Sequence, residues 1–310
     1  MKLSPRRALL GATALLAVTL GIAASTTGAS AALSPRPVSL PHVTALQAGP
    51  AVLTTLLPQS YGGGDADVQL QALRDQTSFR FAVRWDVSGA PARDLLSQLG
   101  DAFSDFPGFV PDTNSSSFAA STRDNKTYTV EISGAYQRPG REKEVFKIGD
   151  NTLSVWVIGR DVTVQYNKEK PLKRTLDASD DPFDSFAFVI LWDNGFHNWY
   201  DTYYADQVLT CTPYNDTVND LSVDSCDFNV TTKDQVADLI APFYGKSITK
   251  IDDAGADLYL ANDLTGAQGA PVELKLQISG KDEKNKAAKL NFSLDITDLN
   301  KKSVTVDAGK

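Results

Sequence analysis

The densest group of side chains able to do chemistry lies between Trp192 and Tyr204. Trp192, Asp193, Asn194, His197, Trp199, Tyr200, Asp201 and Tyr203 interleave aromatic rings with carboxylates and amides. That mixture suits a sugar: the C–H faces of the ring stack on aromatic side chains, and its hydroxyls bond to Asp and Asn. The same residues also suit core packing around a turn, because Trp and Tyr are intermediate in burial. His197 is one of only two histidines. Asp193 and Asp201 are near enough in sequence to orient its ring, although a lone His more often makes a structural hydrogen bond.

Other reactive types are sparse. Asp177, Asp180, Asp181 and Asp184 crowd around Pro182 at a density that could supply oxygen ligands to Ca²⁺. The D-x-D-x-D-G loop is absent, so the cluster reads as a solvated acidic turn, and no metal or cofactor is expected. Two Cys and two His cannot build a structural zinc site. Cys211 and Cys226 instead have the even count and short spacing of a disulfide, which stabilises by about 3 kcal/mol in the loop-entropy model. A glycosidase needs two carboxylates about 5–9.5 Å apart, and 32 Asp offer no way to choose them. Phosphate-binding loops, nucleophile elbows and H-E-x-x-H are all missing.

The elements that would position such groups are mostly strands. Phe79, Phe81, Val83, Trp85 and Val87 alternate with Arg80, Ala82, Arg84 and Asp86, so one face of this strand is buried. Ser88-Gly89-Ala90-Pro91 then starts a helix with its apolar stripe on Leu95, Leu96, Leu99, Phe103 and Phe106. Strands are expected at 127–133, 144–148, 153–158 and 161–166, turned by Gly149-Asp150-Asn151 and Gly159-Arg160. Residues 186–192 read as a doubly covered strand, and 203–211 as extended. Thr232 and Gln235 have capping-box spacing ahead of Val236, Leu239, Ile240 and Phe243. Val272–Ile278 and Leu290–Ile296 form a C-terminal hairpin across Gly280–Lys286. Glu, the better helix former, numbers only six among the acids. The fold class is α+β, predominantly antiparallel β-sheet with two or three helices.

Lys2, Arg6 and Arg7 precede the apolar run Ala8–Ala24, and Ala29-Ser30-Ala31 supplies a small-residue cleavage site. Residues 1–31 therefore read as a signal peptide cut after Ala31, which makes the protein secreted. Its loss leaves 27 basic side chains against 38 acidic ones. Residues 32–64, with five prolines and Gly62-Gly63-Gly64, read as a linker or propeptide. The folded region is 65–310, divisible into subdomains near 65–180 and 181–310. No second long apolar run follows, so no membrane span is expected in the mature chain. The acidic balance argues against general nucleic-acid binding.

Two short resemblances complete the reading. Thr210-Cys211-Thr212-Pro213-Tyr214, followed by Leu221 and Val223, resembles the segment around the catalytic Cys of sortases, which would make Cys211 a nucleophile. The chain departs from that pattern where the family has its His and Arg: no His lies between His42 and His197, and Asp220 stands at the Arg position. The strand Phe79–Val87, its helix, and the strands near Leu153 and Val162–Tyr166 resemble the opening of ribosome-inactivating proteins. That likeness implies an N-glycosidase, yet the stacking Tyr and the Glu/Arg helix are absent. The favoured expectation is an extracellular binding protein that recognises a glycan or cell-wall polymer through residues 192–204. The competing readings are a secreted hydrolase, an N-glycosidase toxin, and, less favoured, a sortase-like transpeptidase.

Overall fold

A computed structural model of the 310-residue chain describes residues 76–102, 110–111, 126–175, 209–228, 232–240, 247–261 and 271–307. The signal peptide, the linker, the boundary near 180, the Asp177–Asp184 cluster and the strand expected at 186–192 lie outside them. The elements are β1 (Ser78–Ser88), α1 (Ala90–Ala102), β2 (Tyr128–Gln137), β3 (Arg141–Ile148), β4 (Asn151–Ile158), β5 (Asp161–Tyr166) and β6 (Leu172–Thr175). They continue as β7 (Leu209–Val218), β8 (Leu221–Phe228), α2 (Lys233–Ile240), β9 (Lys250–Ala261), β10 (Pro271–Lys281) and β11 (Ala287–Thr297).

The eleven strands among the described residues form one antiparallel sheet in the order β6-β5-β4-β3-β2-β1-β11-β10-β9-β8-β7. Two meanders meet at its centre, where β1 pairs with both β2 and β11. The period-two pattern sets the face. Phe79, Phe81, Val83, Trp85 and Val87 are buried, as are Leu274, Leu276 and Ile278 of β10 and Leu290, Phe292, Leu294 and Ile296 of β11. Trp85 and Phe292, directly opposed in the register, pack with ring centroids 5.3 Å apart. Helix α1 lays Ala92, Leu95, Leu96 and Leu99 into the same core, and it contacts β1 and β11. Each leucine buried this way contributes about 1.5–3 kcal/mol.

The turns follow from local chemistry. Asn219 and Asp220 both have positive φ, the signature of a two-residue hairpin turn between β7 and β8. Between β10 and β11, Asp282 accepts from the backbone N–H groups of Lys284 and Lys286 at 2.9 Å each. The capping box of α2 closes in both directions, Gln235 N–H to Thr232 Oγ1 and Thr232 N–H to Gln235 Oε1. At Gly134 of β2 a side chain is excluded: a Cβ there would collide with the ring of Phe81, which lies across the glycine, and with the carbonyl oxygen of Lys143.

The structure extends or alters several expected elements. β3 begins at Arg141, three residues earlier than the pattern predicts, because Glu142 and Glu144 take inward positions where apolar residues would stand. β7 runs through Pro213 to Val218. It is an edge strand, where a proline with no N–H costs no ladder bond. β9 was not anticipated, since Asp252, Asp253, Gly255 and Asp257 hide its alternation. The described parts of α1 and α2 end at Ala102 and Ile240, so Phe103, Phe106 and Phe243 lie outside the described residues.

The solvent side of the sheet carries its own small core. The C-terminal segment after β11 crosses it as a strap, burying Val304 and Val306 against Ala135 and Ile158. Val306 N–H donates to Gln137 Oε1 at 3.0 Å, and Ser78 Oγ donates to the Lys301 carbonyl at 3.0 Å.

Candidate functional site

Of the residues expected to form a site, Trp192, Asp193, Asn194, His197, Trp199, Tyr200, Asp201 and Tyr203 all lie outside the described residues. Cys211 and Cys226 do not: they are directly opposed on β7 and β8 and joined in a disulfide, with Cα atoms 4.0 Å apart. The sulfur that the sortase resemblance would make a nucleophile is therefore bound to its neighbour. Among the described residues, no group of three or more His, Cys, Asp or Glu is placed to hold a metal ion. No described helix is long and apolar enough to cross a membrane.

Register, rather than any one segment, builds the most chemically furnished surface. Across β1, β11, β10 and β9 the solvent-facing side chains align in rows. One row reads Asp86, Asn291, Gln277, Gly255; the next Arg84, Ser293, Lys275, Asp257; the third Ala82, Asp295, Glu273, Tyr259. A groove of 230 Å³ runs over the first two rows, lined by Arg84, Asp86, Asp257, Lys275, Gln277, Asn291 and Ser293 above a floor of Leu276 and Phe292. Gly255 keeps one end low, since a Cβ there would crowd Gln277 Nε2 at 3.0 Å. Beyond Asp257 on the same face, Tyr259 meets Tyr214 edge-on at 5.4 Å, and Tyr214 is 44% exposed. A second hollow of 300 Å³ lies where β8 leaves β9, between Asp227, Val236 and Asp257.

The electrostatics of the groove are dominated by paired charges. Arg84 gives Nε and Nη2 to the two oxygens of Asp86 at 2.8 and 3.0 Å, and Nη1 to Glu131 at 2.7 Å. The Asp86 bond above all raises the guanidinium pKa. Burial alone would raise Asp86, but the hydrogen bonds from Arg84 and Thr129 and the charges of Arg84 and Lys289 together outweigh it and hold the carboxyl below its ordinary value. Lys275 places Nζ 2.7 Å from Glu273, and that bond raises the ammonium pKa. Asp295 lies opposite Glu273 and hydrogen-bonds to it; burial first, then the Glu273 charge, pushes Asp295 up. Burial, then Tyr214, raises the phenol of Tyr259.

Glu273 and Asp295 touch, whereas a glycosidase pair stands about 5–9.5 Å apart to admit a sugar and a nucleophile. Asp86 and Asp257 are three strand spacings apart across the sheet and two residues apart along it, about 16 Å between backbones. What the groove offers is amides, a hydroxyl and fixed charges, with the exposed Tyr214 and the half-buried Tyr259 one row beyond it.

Comparison with known proteins adds no family. No family model matches the chain, and no curated protein does. Among solved structures, a DUF1329 family protein from Desulfovibrio piger is 9% identical over 77% of this chain and 93% of that one, with a TM-score of 0.21. At that score the likeness carries no argument. The fold and groove define a disulfide-bonded, antiparallel β-sheet protein of α+β type.

Proposed function

We propose that the chain is an extracytoplasmic binding protein for a polyhydroxylated ligand such as a glycan or cell-wall polymer. The sheet is its scaffold, and the groove across β1, β11, β10 and β9 is its binding face. One observation carries the reading: amide, hydroxyl and charged groups line a shallow groove, and one row further along the same face the exposed Tyr214 meets the half-buried Tyr259. Polar groups that fix hydroxyls, beside rings on which C–H faces stack, are what sugar recognition requires. Export, which the signal-like N-terminus and the disulfide support, would deliver the protein to such polymers. The test is a glycan array with the full chain, followed by titration of Gln277→Ala and Asn291→Ala. Loss of about tenfold or more in affinity is expected. Binding that ignores both substitutions would move the site elsewhere.

A further inference from the structure

We infer that the solvent face of β3–β6 is a second binding surface, separate from the groove, and that it takes an anionic polysaccharide. The inference does not depend on the role proposed for the groove. The chain is acidic overall, yet its charge is sorted along the sheet. Residues 138–175, which are β3–β6 with their turns, carry nine Lys and Arg against five Asp and Glu. Two of those acids, Glu142 and Glu144, are buried on the apolar face, so the solvent side is more basic still. At the opposite end, residues 209–228, 232–240 and 247–261 carry two bases against nine acids.

Register sets the cations in rows. Lys143, Trp156, Thr163 and Lys173 are directly opposed across β3, β4, β5 and β6, which puts the two lysines three strand spacings, about 14 Å, apart with no acid between them. Lys143 is held over the Trp156 ring, 5.6 Å from its centroid, and neither lysine makes an ion pair among the described residues. Arg80, at the far end of this row, is held by Asp298 at 3.1 Å. The next row, Ser133, Val145, Ser154 and Gln165, is uncharged, and the one after it carries Lys147. On the other side come Arg141 and Asp161, the latter accepting a bond from Thr175 at 3.0 Å. The remaining acid in these rows is Glu131, shared between Arg84 at 2.7 Å and Lys147 at 3.5 Å. The turns add Arg138, Arg160, Lys168 and Lys170 against Asp150 and Glu169, while the strap balances Lys301 and Lys302 with Asp298 and Asp307. Carboxylates along a polymer can therefore pair with Lys143, Lys173 and Lys147 while only the exposed Lys147–Glu131 pair loosens. Sugar hydroxyls find Ser154 and Gln165 in the neutral row between them.

The experiment is calorimetric titration of the full chain with four probes: a galacturonate hexamer, its methyl ester, inorganic polyphosphate and phosphatidylglycerol vesicles. The galacturonate hexamer should bind about tenfold or more tighter than the ester, which keeps the hydroxyls and loses the charge. Lys143→Gln combined with Lys173→Gln should cost it about tenfold or more and make its salt dependence shallower. Lys233→Gln combined with Lys250→Gln, which removes the same charge from the acidic end, should leave affinity within about twofold. Equal binding of hexamer and ester, or equal losses in the two double variants, overturns the inference. Polyphosphate or vesicles bound as tightly as the hexamer overturn its polysaccharide part. A loss on Gln277→Ala would place the hexamer in the groove and overturn the second surface while the groove's role stands. Silence with all four probes overturns this surface and leaves the groove untouched.

Discussion

Asp86 and Asp295 lie on the same face of the sheet, one on β1 and one on β11, yet their neighbours drive them in opposite directions. Asp86 loses to burial but gains more from Arg84 and Thr129, so its contribution to stability is present above the ordinary carboxylate value near 3.9 and fades as pH falls through its lower folded value. Asp295 is raised by burial and by Glu273, so the folded protein holds that proton more tightly than the unfolded chain. Its contribution is fully present below about pH 3.9 and is lost as pH rises through the folded value. Asp295→Asn should therefore stabilise the protein near neutral pH, by roughly 1–3 °C in Tm. The gain should shrink to nothing below about pH 4, which thermal melts of both proteins across that range would check. A gain that is the same at every pH would mean that packing, not charge, is responsible.

At the scale of elements, the Phe81–Gly134 contact couples β1 to β2. Gly134→Ala forces the ring of Phe81 aside and should cost about 1–3 kcal/mol in urea unfolding. Phe81→Leu in the same chain should recover only part of that loss, because the smaller side chain relieves the ring clash but not the one with the Lys143 carbonyl oxygen. Reduction of Cys211–Cys226 removes a cross-strand link next to the sheet edge and should lower stability by about 3 kcal/mol, read from melts with and without reductant. Elements with one clean face were legible in the sequence: β1, the C-terminal hairpin, α1 and the α2 capping box all obey local periodicity or cap spacing. β9 was not, since Asp252, Asp253 and Asp257 give it too little apolar pattern to read. The groove was not legible either. Arg84, Asn291, Lys275 and Asp257 belong to four strands, and only the register puts them in line. The sequence pointed instead to 192–204, where aromatics and carboxylates are adjacent in the chain, the only kind of adjacency that composition can reveal.

Across the whole molecule, the strap and the central strand pair bind the two ends of the described chain together. Val304 and Val306 are each 1% exposed, and replacing either with Ala should cost about 1–2 kcal/mol in urea unfolding. Substitution of the exposed Thr305 between them should cost less than about 0.5 kcal/mol. The Ser78–Lys301 bond joins residues 223 apart in sequence, and β1 finds its partner β11 over a similar span. This has a consequence for the order of events at birth. β1 leaves the ribosome early and holds one half of the sheet centre, but the strand that completes it is the last to be made. Until β11 arrives, β1–β6 and β7–β10 are separate half-sheets whose inner edges, β1 and β10, are unpaired. Non-local closure of that kind is slow. A chain truncated before β11 should therefore leave β1 and β10 each with an unpaired edge, two sticky half-sheets rather than a smaller protein.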